Sequence, residues 1–348
     1  MRLRSALLAL LCGALLTPAS ALAQADGDNP FAGHGMWIWQ LPHAAGGDPV
    51  AIAAQAQAAG VDTLIIKAAQ GRQRWTQFSP DLVSALQAEG LTVCAYQRLE
   101  GTQMVAQAAA AAAAVKAGAD CFVIDAEKEL EGRYAQARQY VAALRQRIGD
   151  DFPVGFTSFP YADLHPLLPY SVFLGPGGAT VSLPQIYWKD IGDSPSKAFA
   201  RTVAANRLYG APLSPVGQLY SKPSTKDVLA FRRLALAYDV DGTSWWDWDS
   251  APASGWTTIG RRVSAPAVPA SVPAYPTVRP GARSDYVVWA KDHLRALAYT
   301  VTKDTRFDTT TARAVQAFQL DNGLPVTGVL DNATWTALLD ADPADASD

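Results

Sequence analysis

The chain has 348 residues, with 29 lysines and arginines against 32 aspartates and glutamates and a formal net charge of −3. That length allows more than one domain. The charge balance supplies no basic block that could track a nucleic-acid backbone, so that class of partner is not expected.

The first residues follow their own logic. "MRLR" is positive, "SALLALLCGALL" is apolar and "TPASALA" offers a small-residue cleavage site. This pattern predicts a secretory signal peptide over residues 1–23, cut to release Gln24. No twin arginine is present, which favours the general secretory route. Cys12 lies inside the apolar run and before the better cleavage site, which argues against a lipoprotein. No later segment is apolar for long enough to span a bilayer, so no membrane partner is expected after signal removal. Cys94 and Cys121 remain. Their offsets within neighbouring strands differ, so they read as buried free thiols rather than as a disulfide.

Apolar runs and helical segments then alternate. "GMWIWQ" from Gly35 is followed by "DPVAIAAQAQAAG", a helix stopped by Gly60. "TLIIKAA" from Thr63 precedes "SPDLVSALQAEG", with a Ser-Pro start signal and a stop at Gly90. "TVCAYQ" from Thr92 precedes the alanine-rich "MVAQAAAAAAAVKAG", where low side-chain entropy cost favours helix. "CFVIDAE" from Cys121 leads to "YAQARQYVAALRQRIG", of helical periodicity. "VGFTSFP" from Val154, "SLPQIYW" from Ser182 and "SPVGQLY" from Ser214 continue the strands. The helix "TKDVLAFRRLALAYD" and the strand "GTSWWDW" from Gly242 close the series at eight candidate strands.

Such alternation implies parallel strands with right-handed crossovers. Eight units in this span predict an α/β fold, a (β/α)8 TIM barrel over residues 33–262. A doubly wound sheet remains open, but no glycine fingerprint follows the first strand, and "GPGGA" at Gly175–Ala179 reads as a turn. Residues 263–281, rich in proline and alanine, read as an extended, semi-rigid spacer that does not pack. A small all-α module over 282–340 and a disordered acidic tail over 341–348 complete the chain.

Chemistry in such a barrel gathers at the strand ends. These are Gln40, Lys67, Gln97, Asp125, Glu127, Ser158, Gln185, Tyr187, Gln218 and Asp247, accompanied by Trp37, Trp39, Trp188, Trp245, Trp246 and Trp248. Indole faces stack on sugar rings while amides and carboxylates bind hydroxyls, though some of these rings must simply fill the core. Asp125 and Glu127 lie two apart on one strand and should share a face. Two close carboxylates retain one proton more tightly, and glycosidic cleavage needs one protonated and one ionised acid. Glu129 and Glu131, beyond the strand, read as helix-capping or solvated residues. The competing reading of Asp125 and Glu127 is a structural ion network with Lys67, Lys128 or Arg98. The four histidines show no metal or triad spacing, so neither metal nor cofactor is expected.

Two resemblances add to this. "RAVQAFQLDNGLPVTGVLDNATWTALL" resembles the common peptidoglycan-binding module, a three-helix bundle, through Ala314, Val315, Phe318, Gln319, Gly323, Leu324, Gly328, Thr334, Trp335 and Leu338. Leu294 and Phe307 fit its first half, although Ala290-Lys291 stands where the module usually has Leu-Gln. Peptidoglycan or a related polysaccharide is the partner this implies. The "IDAE" motif and "LIIKAAQG" are similar to the family-25 glycoside hydrolases, the bacterial and phage lysozymes. More distantly, Asp120, Asp125 and Glu127 match three of the four acidic places of the family-18 chitinases, with Val123 in the fourth. That resemblance implies Glu127 as general acid, Asp125 orienting an N-acetyl group, Tyr187 steadying the intermediate and Trp246 flooring the subsite. Gln185, Gln97, Lys67, Asp247 and Trp39 would contact substrate. The first-strand aspartate typical of the lysozymes is replaced by Gln40. The expectation is therefore a secreted, wall-associated glycosidase. The alternatives are a non-catalytic wall-binding protein with a hydrolase-like barrel and a hydrolase of another polysaccharide.

Overall fold

The computed structural model describes residues 29–266 and 270–341. The signal-peptide assignment and all but the first residue of the acidic tail fall outside them. In chain order the strands are β1 (Gly33–Ile38), β2 (Thr63–Gln70), β3 (Gln73–Arg74), β4 (Thr92–Arg98), β5 (Cys121–Asp125), β6 (Val154–Ser158), β7 (Val181–Ile186), β8 (Val216–Gln218) and β9 (Gly242–Trp246). The helices are α1 (Pro49–Ala58), α2 (Pro80–Ala88), α3 (Met104–Lys116), α4 (Tyr134–Ile148), α5 (Tyr170–Phe173), α6 (Trp188–Ile191), α7 (Pro195–Asn206), α8 (Thr225–Ala237) and α9 (Ala253–Ile259). Three more, α10 (Asp285–Ala296), α11 (Thr309–Asp321) and α12 (Asn332–Ala341), form the C-terminal module.

All strands except β3 run parallel, and β1 pairs with both β2 and β9, which closes the barrel. The expected (β/α)8 architecture is therefore present. β3 adds only a short antiparallel hairpin to the end of β2. α2 begins where the Ser-Pro signal predicts, with Ser79 accepting from Leu82 N; Asp48 and Ser224 likewise accept from Val50 N and Asp227 N, each satisfying an amide the first turn leaves open. The unit after β6 departs from the rhythm, with a helix of only 4 residues in α5.

Barrel-facing side chains fill the interior from the bottom. Phe31 plugs the base, and a Cβ on Gly155 would lie 3.0 Å from its ring, so that strand position has no room for a side chain. Above it come Ile65, Val181, Cys94, Cys121, Val123 and Leu183, then Trp37 and Tyr96. Cys94 and Cys121 are disulfide-bonded, which corrects the reading of two free thiols. The third residue of β4 pairs directly with the first of β5, because strands in a closed barrel are staggered. Differing offsets within the strands therefore brought the two sulfurs level.

The proline-rich segment also departs from expectation. Ala270 N donates to Ala237 O, Arg207 Nη1 donates to Pro273 O, and the Arg207 guanidinium lies 3.8 Å from the Tyr275 ring centre. Proline removes donors but leaves carbonyls and apolar rings free to pack. The module itself is seated on the barrel. Asp285 accepts from Ser171 N (2.8 Å), Ser171 Oγ (2.7 Å) and Tyr209 Oη (2.8 Å), while Trp289 Nε1 donates to Leu208 O.

Candidate functional site

β1, β2, β4, β5, β6, β7 and β9 deliver inward-facing ends to a cavity of about 350 Å³ at the C-terminal mouth of the barrel. Trp37, Trp39, Tyr96, Tyr187 and Trp246 form its aromatic wall, and Lys67, Gln70, Arg98, Asp125, Glu127, Glu129, Thr157 and Gln185 its polar groups. Trp37 and Tyr96 meet edge-on at 5.0 Å, and Trp246 lies 5.7 Å and 6.1 Å from them, so the three rings brace one another. Trp37 Nε1 is anchored by Ser244 Oγ at 2.9 Å.

Asp125 ends β5, and Glu127 follows in an extended conformation, so both carboxylates enter the mouth as their two-residue spacing requires. A short 3₁₀ turn over Lys128–Leu130 then breaks the extended run. Glu131 is carried away to His165 Nδ1 at 2.9 Å, whereas Glu129 returns to the mouth, a correction to its capping role.

Arg98 organises these acids. Its Nη1 lies 2.6 Å from Glu127 Oε1 and 3.8 Å from Asp125 Oδ2, and its Nη2 lies 2.8 Å from Glu129 Oε2. Burial works against its charge, but the three carboxylates outweigh burial and hold the guanidinium firmly protonated. Gln185 Nε2 donates to Glu127 Oε1 at 3.2 Å. Burial, and then the neighbouring Glu127, push the Asp125 carboxyl well above the usual range, against the pull of Arg98 and Lys67. Its Oδ1 is buried and has no hydrogen-bond partner among the described residues. Lys67 is pushed down by burial and donates to Gln70 Oε1 at 2.7 Å. Burial raises the Tyr187 phenol well above its ordinary value, so it remains a donor at neutral pH.

Of the residues singled out from sequence, Asp125, Glu127, Tyr187, Trp246, Gln185, Lys67 and Trp39 line this cavity. Gln97 and Asp247 do not. Gln97 faces the helix layer, donating to Gly71 O and Gln107 O and accepting from Tyr140 Oη at 2.6 Å. Cys94, Tyr96 and Arg98 hold the inward parity of β4, which leaves Gln97 the outward one. Asp247 is buried, with Oδ1 accepting from Ser250 N, and serves the turn after β9. Sequence reasoning missed Tyr96 and gave Arg98 only a place in the competing ion network. Strand parity, counted back from Arg98, was the signal that could have found both. Among the described residues, no group of three or more His, Cys, Asp or Glu side chains is arranged to hold a metal ion.

Residues 283–338 match the family model described as "Putative peptidoglycan binding domain", within the span expected for the module. No curated protein matches the chain. Among solved structures, the barrel is similar to the spore cortex-lytic enzyme SleL of Bacillus cereus, with a TM-score of 0.51 and 9% identity over 66% of this chain and 73% of that one. A structure described as "putative Chitinase A" from Streptomyces coelicolor gives 0.48 and 15%, over 66% of this chain and 98% of that one. A fungal endo-β-N-acetylglucosaminidase of glycosyl hydrolase family 18 gives 0.45 and 13%, over 66% and 95%. At such identities the likeness is one of fold, and a barrel hosts many chemistries.

Proposed function

We propose that this protein is an exported, wall-associated glycoside hydrolase acting on peptidoglycan glycan strands, with Glu127 delivering the proton. The observation that carries the reading is the Asp125–Glu127 pair at a barrel strand end, inside an aromatic-walled cavity. The match of residues 283–338 supports the polymer, and the Cys94–Cys121 disulfide supports an oxidising compartment outside the cytoplasm.

In this reading the free protein keeps one proton on Asp125, and the Arg98 guanidinium lies against Glu127. A saccharide stacked on Trp246 displaces the guanidinium towards Glu129, and the proton passes from Asp125 to Glu127. Glu127 gives it to the glycosidic oxygen as the bond to the anomeric carbon breaks. The substrate's own N-acetyl oxygen forms the new bond to that carbon, oriented by the ionised Asp125 and by the Tyr187 hydroxyl. Water then opens this intermediate and returns a proton to Glu127. Replacement Glu127→Gln keeps the shape and removes the acid. Release of reducing ends from purified peptidoglycan should fall by about 10³-fold or more with wall binding intact, and unchanged activity would sink the assignment.

One observation favours a second reading, a non-catalytic wall-binding barrel: Arg98 engages Glu127 and Glu129 directly. Retention on walls with no soluble glycan product from the wild type would decide for it.

A further inference from the structure

A second cavity lies away from the mouth. A cleft of about 820 Å³ runs between α4 of the barrel and α10 of the C-terminal module. Tyr134, Arg138, Val141 and Arg145 line it along one stripe of α4, and Val288, Asp292 and Arg295 along one stripe of α10. The helical spacing that seats one face on a partner is used here to wall a groove.

The chemistry of the cleft is one-sided. Five cationic side chains line it, Arg138, Arg145, Lys291, Arg295 and Lys303, against the carboxylates of Asp150, Asp292 and Asp304. Lys291 is paired with Asp304 at 2.8 Å, and Arg295 with Asp292. Arg145 is only 8% exposed, and its guanidinium donates to the carbonyls of Gly149, Phe152, Gly177 and Gly178, with the charges of Asp150 and Asp151 acting on it from nearby. Arg138 and Lys303, both exposed on the rim, make no ion pair among the described residues. The Tyr134 hydroxyl on the same stripe is engaged by the Asp285 carboxylate. Val141, Val172 and Val288 give the lining an apolar component. Apolar surface with a small number of placed polar groups and an excess of positive charge suits a short chain that carries carboxylates.

We propose that this inter-domain cleft binds an acidic peptide, namely the carboxylate-bearing peptides attached to the glycan, so that barrel and module together read the peptide while the mouth reads the sugar. This rests on the reading of the C-terminal module as peptidoglycan-binding. Occupancy would hold a glycan strand at a fixed distance from the mouth, because the module is seated on the barrel through Asp285 and Trp289.

The test uses the full chain and three probes: purified peptidoglycan, the same glycan stripped of its peptides, and the released peptides. The double variant Arg138→Glu, Lys303→Glu changes two exposed side chains and leaves the Asp285 contacts in place. It should bind intact peptidoglycan about tenfold or more weakly and lose binding of the released peptides, measured by calorimetry at fixed salt. Binding and hydrolysis of peptide-stripped glycan should be unchanged. Wild-type affinity of the variant for intact peptidoglycan would overturn the proposal. So would a wild-type chain that ignores released peptides, or one that binds a phosphate polymer in their place. Peptide binding without any glycan hydrolysis would support this cleft while removing the glycosidase.

Discussion

Arg98 Nη1 stands 2.6 Å from Glu127 Oε1 and 3.8 Å from Asp125 Oδ2, so one guanidinium from β4 bridges both acids delivered by β5. The contact follows from register, since Arg98 pairs directly with Asp125 across the two parallel strands. It makes the mouth an ion cluster as well as an acid pair.

Removing that cation should therefore be felt in two ways. Arg98→Met leaves Asp125, Glu127 and Glu129 facing one another with Lys67 as the remaining cation in the cavity lining. We expect a loss of about 2 kcal/mol of stability at pH 7, moderated by partial exposure of the pair. The loss should shrink as acid neutralises the carboxylates. Urea unfolding at pH 4 and pH 7 checks this, and a hydrolase should also show its activity optimum displaced to higher pH.

Asp285 is the corresponding pivot of the inter-domain contact. Burial pushes its carboxyl up to about 6, against the donors from Ser171 and Tyr209. Asp285→Ala would strand those donors at a cost of about 2–3 kcal/mol and should free the module. Small-angle scattering should show a longer particle, with faster proteolysis of the segment before residue 282. Because the folded value is raised, the Asp285 contribution is fullest below 3.8 and is lost as the pH rises through about 6, so the variant should fall further behind wild type at pH 4 than at pH 7.

The disulfide closes a chain segment with a sequence separation of 27. Loop-closure entropy for that length corresponds to about 3.5 kcal/mol. The double replacement Cys94→Ser, Cys121→Ser should lower the urea midpoint accordingly. Reductant should shift the wild type towards the variant and leave the variant unmoved.

His34 offers a stability probe at the closed end of the barrel. Its Nδ1 bonds Gly60 O and its Nε2 accepts from Trp245 Nε1, which fixes a neutral tautomer. Burial first, and then the charge of Arg232, bring it down to about 4, against the Gly60 carbonyl. The unfolded chain thus binds the extra proton between pH 6.5 and about 4, and stability falls as the pH drops through that window. His34→Gln should remove this segment of the pH–stability curve. Retention of the same slope in the variant would assign it to other groups.

Much of the scaffold was legible without coordinates. All eight apolar runs became barrel strands, and the Ser-Pro start signal became a helix cap at Ser79, because period-two and 3.6-residue patterns are properties of local backbone geometry. The placement of Asp125 and Glu127 on one face followed from the same rule. Gln97 shows its limit. Being polar and near a strand end says nothing about parity unless the inward residues of that strand are identified first.

The sequence by itself determined the order of strands and helices, the position of the acid pair at a strand terminus and the identity of the C-terminal module, all of which depend on neighbours within a few residues. Only the tertiary structure decided that Cys94 meets Cys121, that Arg98 rather than Lys128 sits against Glu127, and that the module docks on α5 through Asp285. Those contacts join residues far apart in the chain, and they are set by the stagger and closure of the barrel. Shifting a strand by one position would give every side chain on it a new set of neighbours.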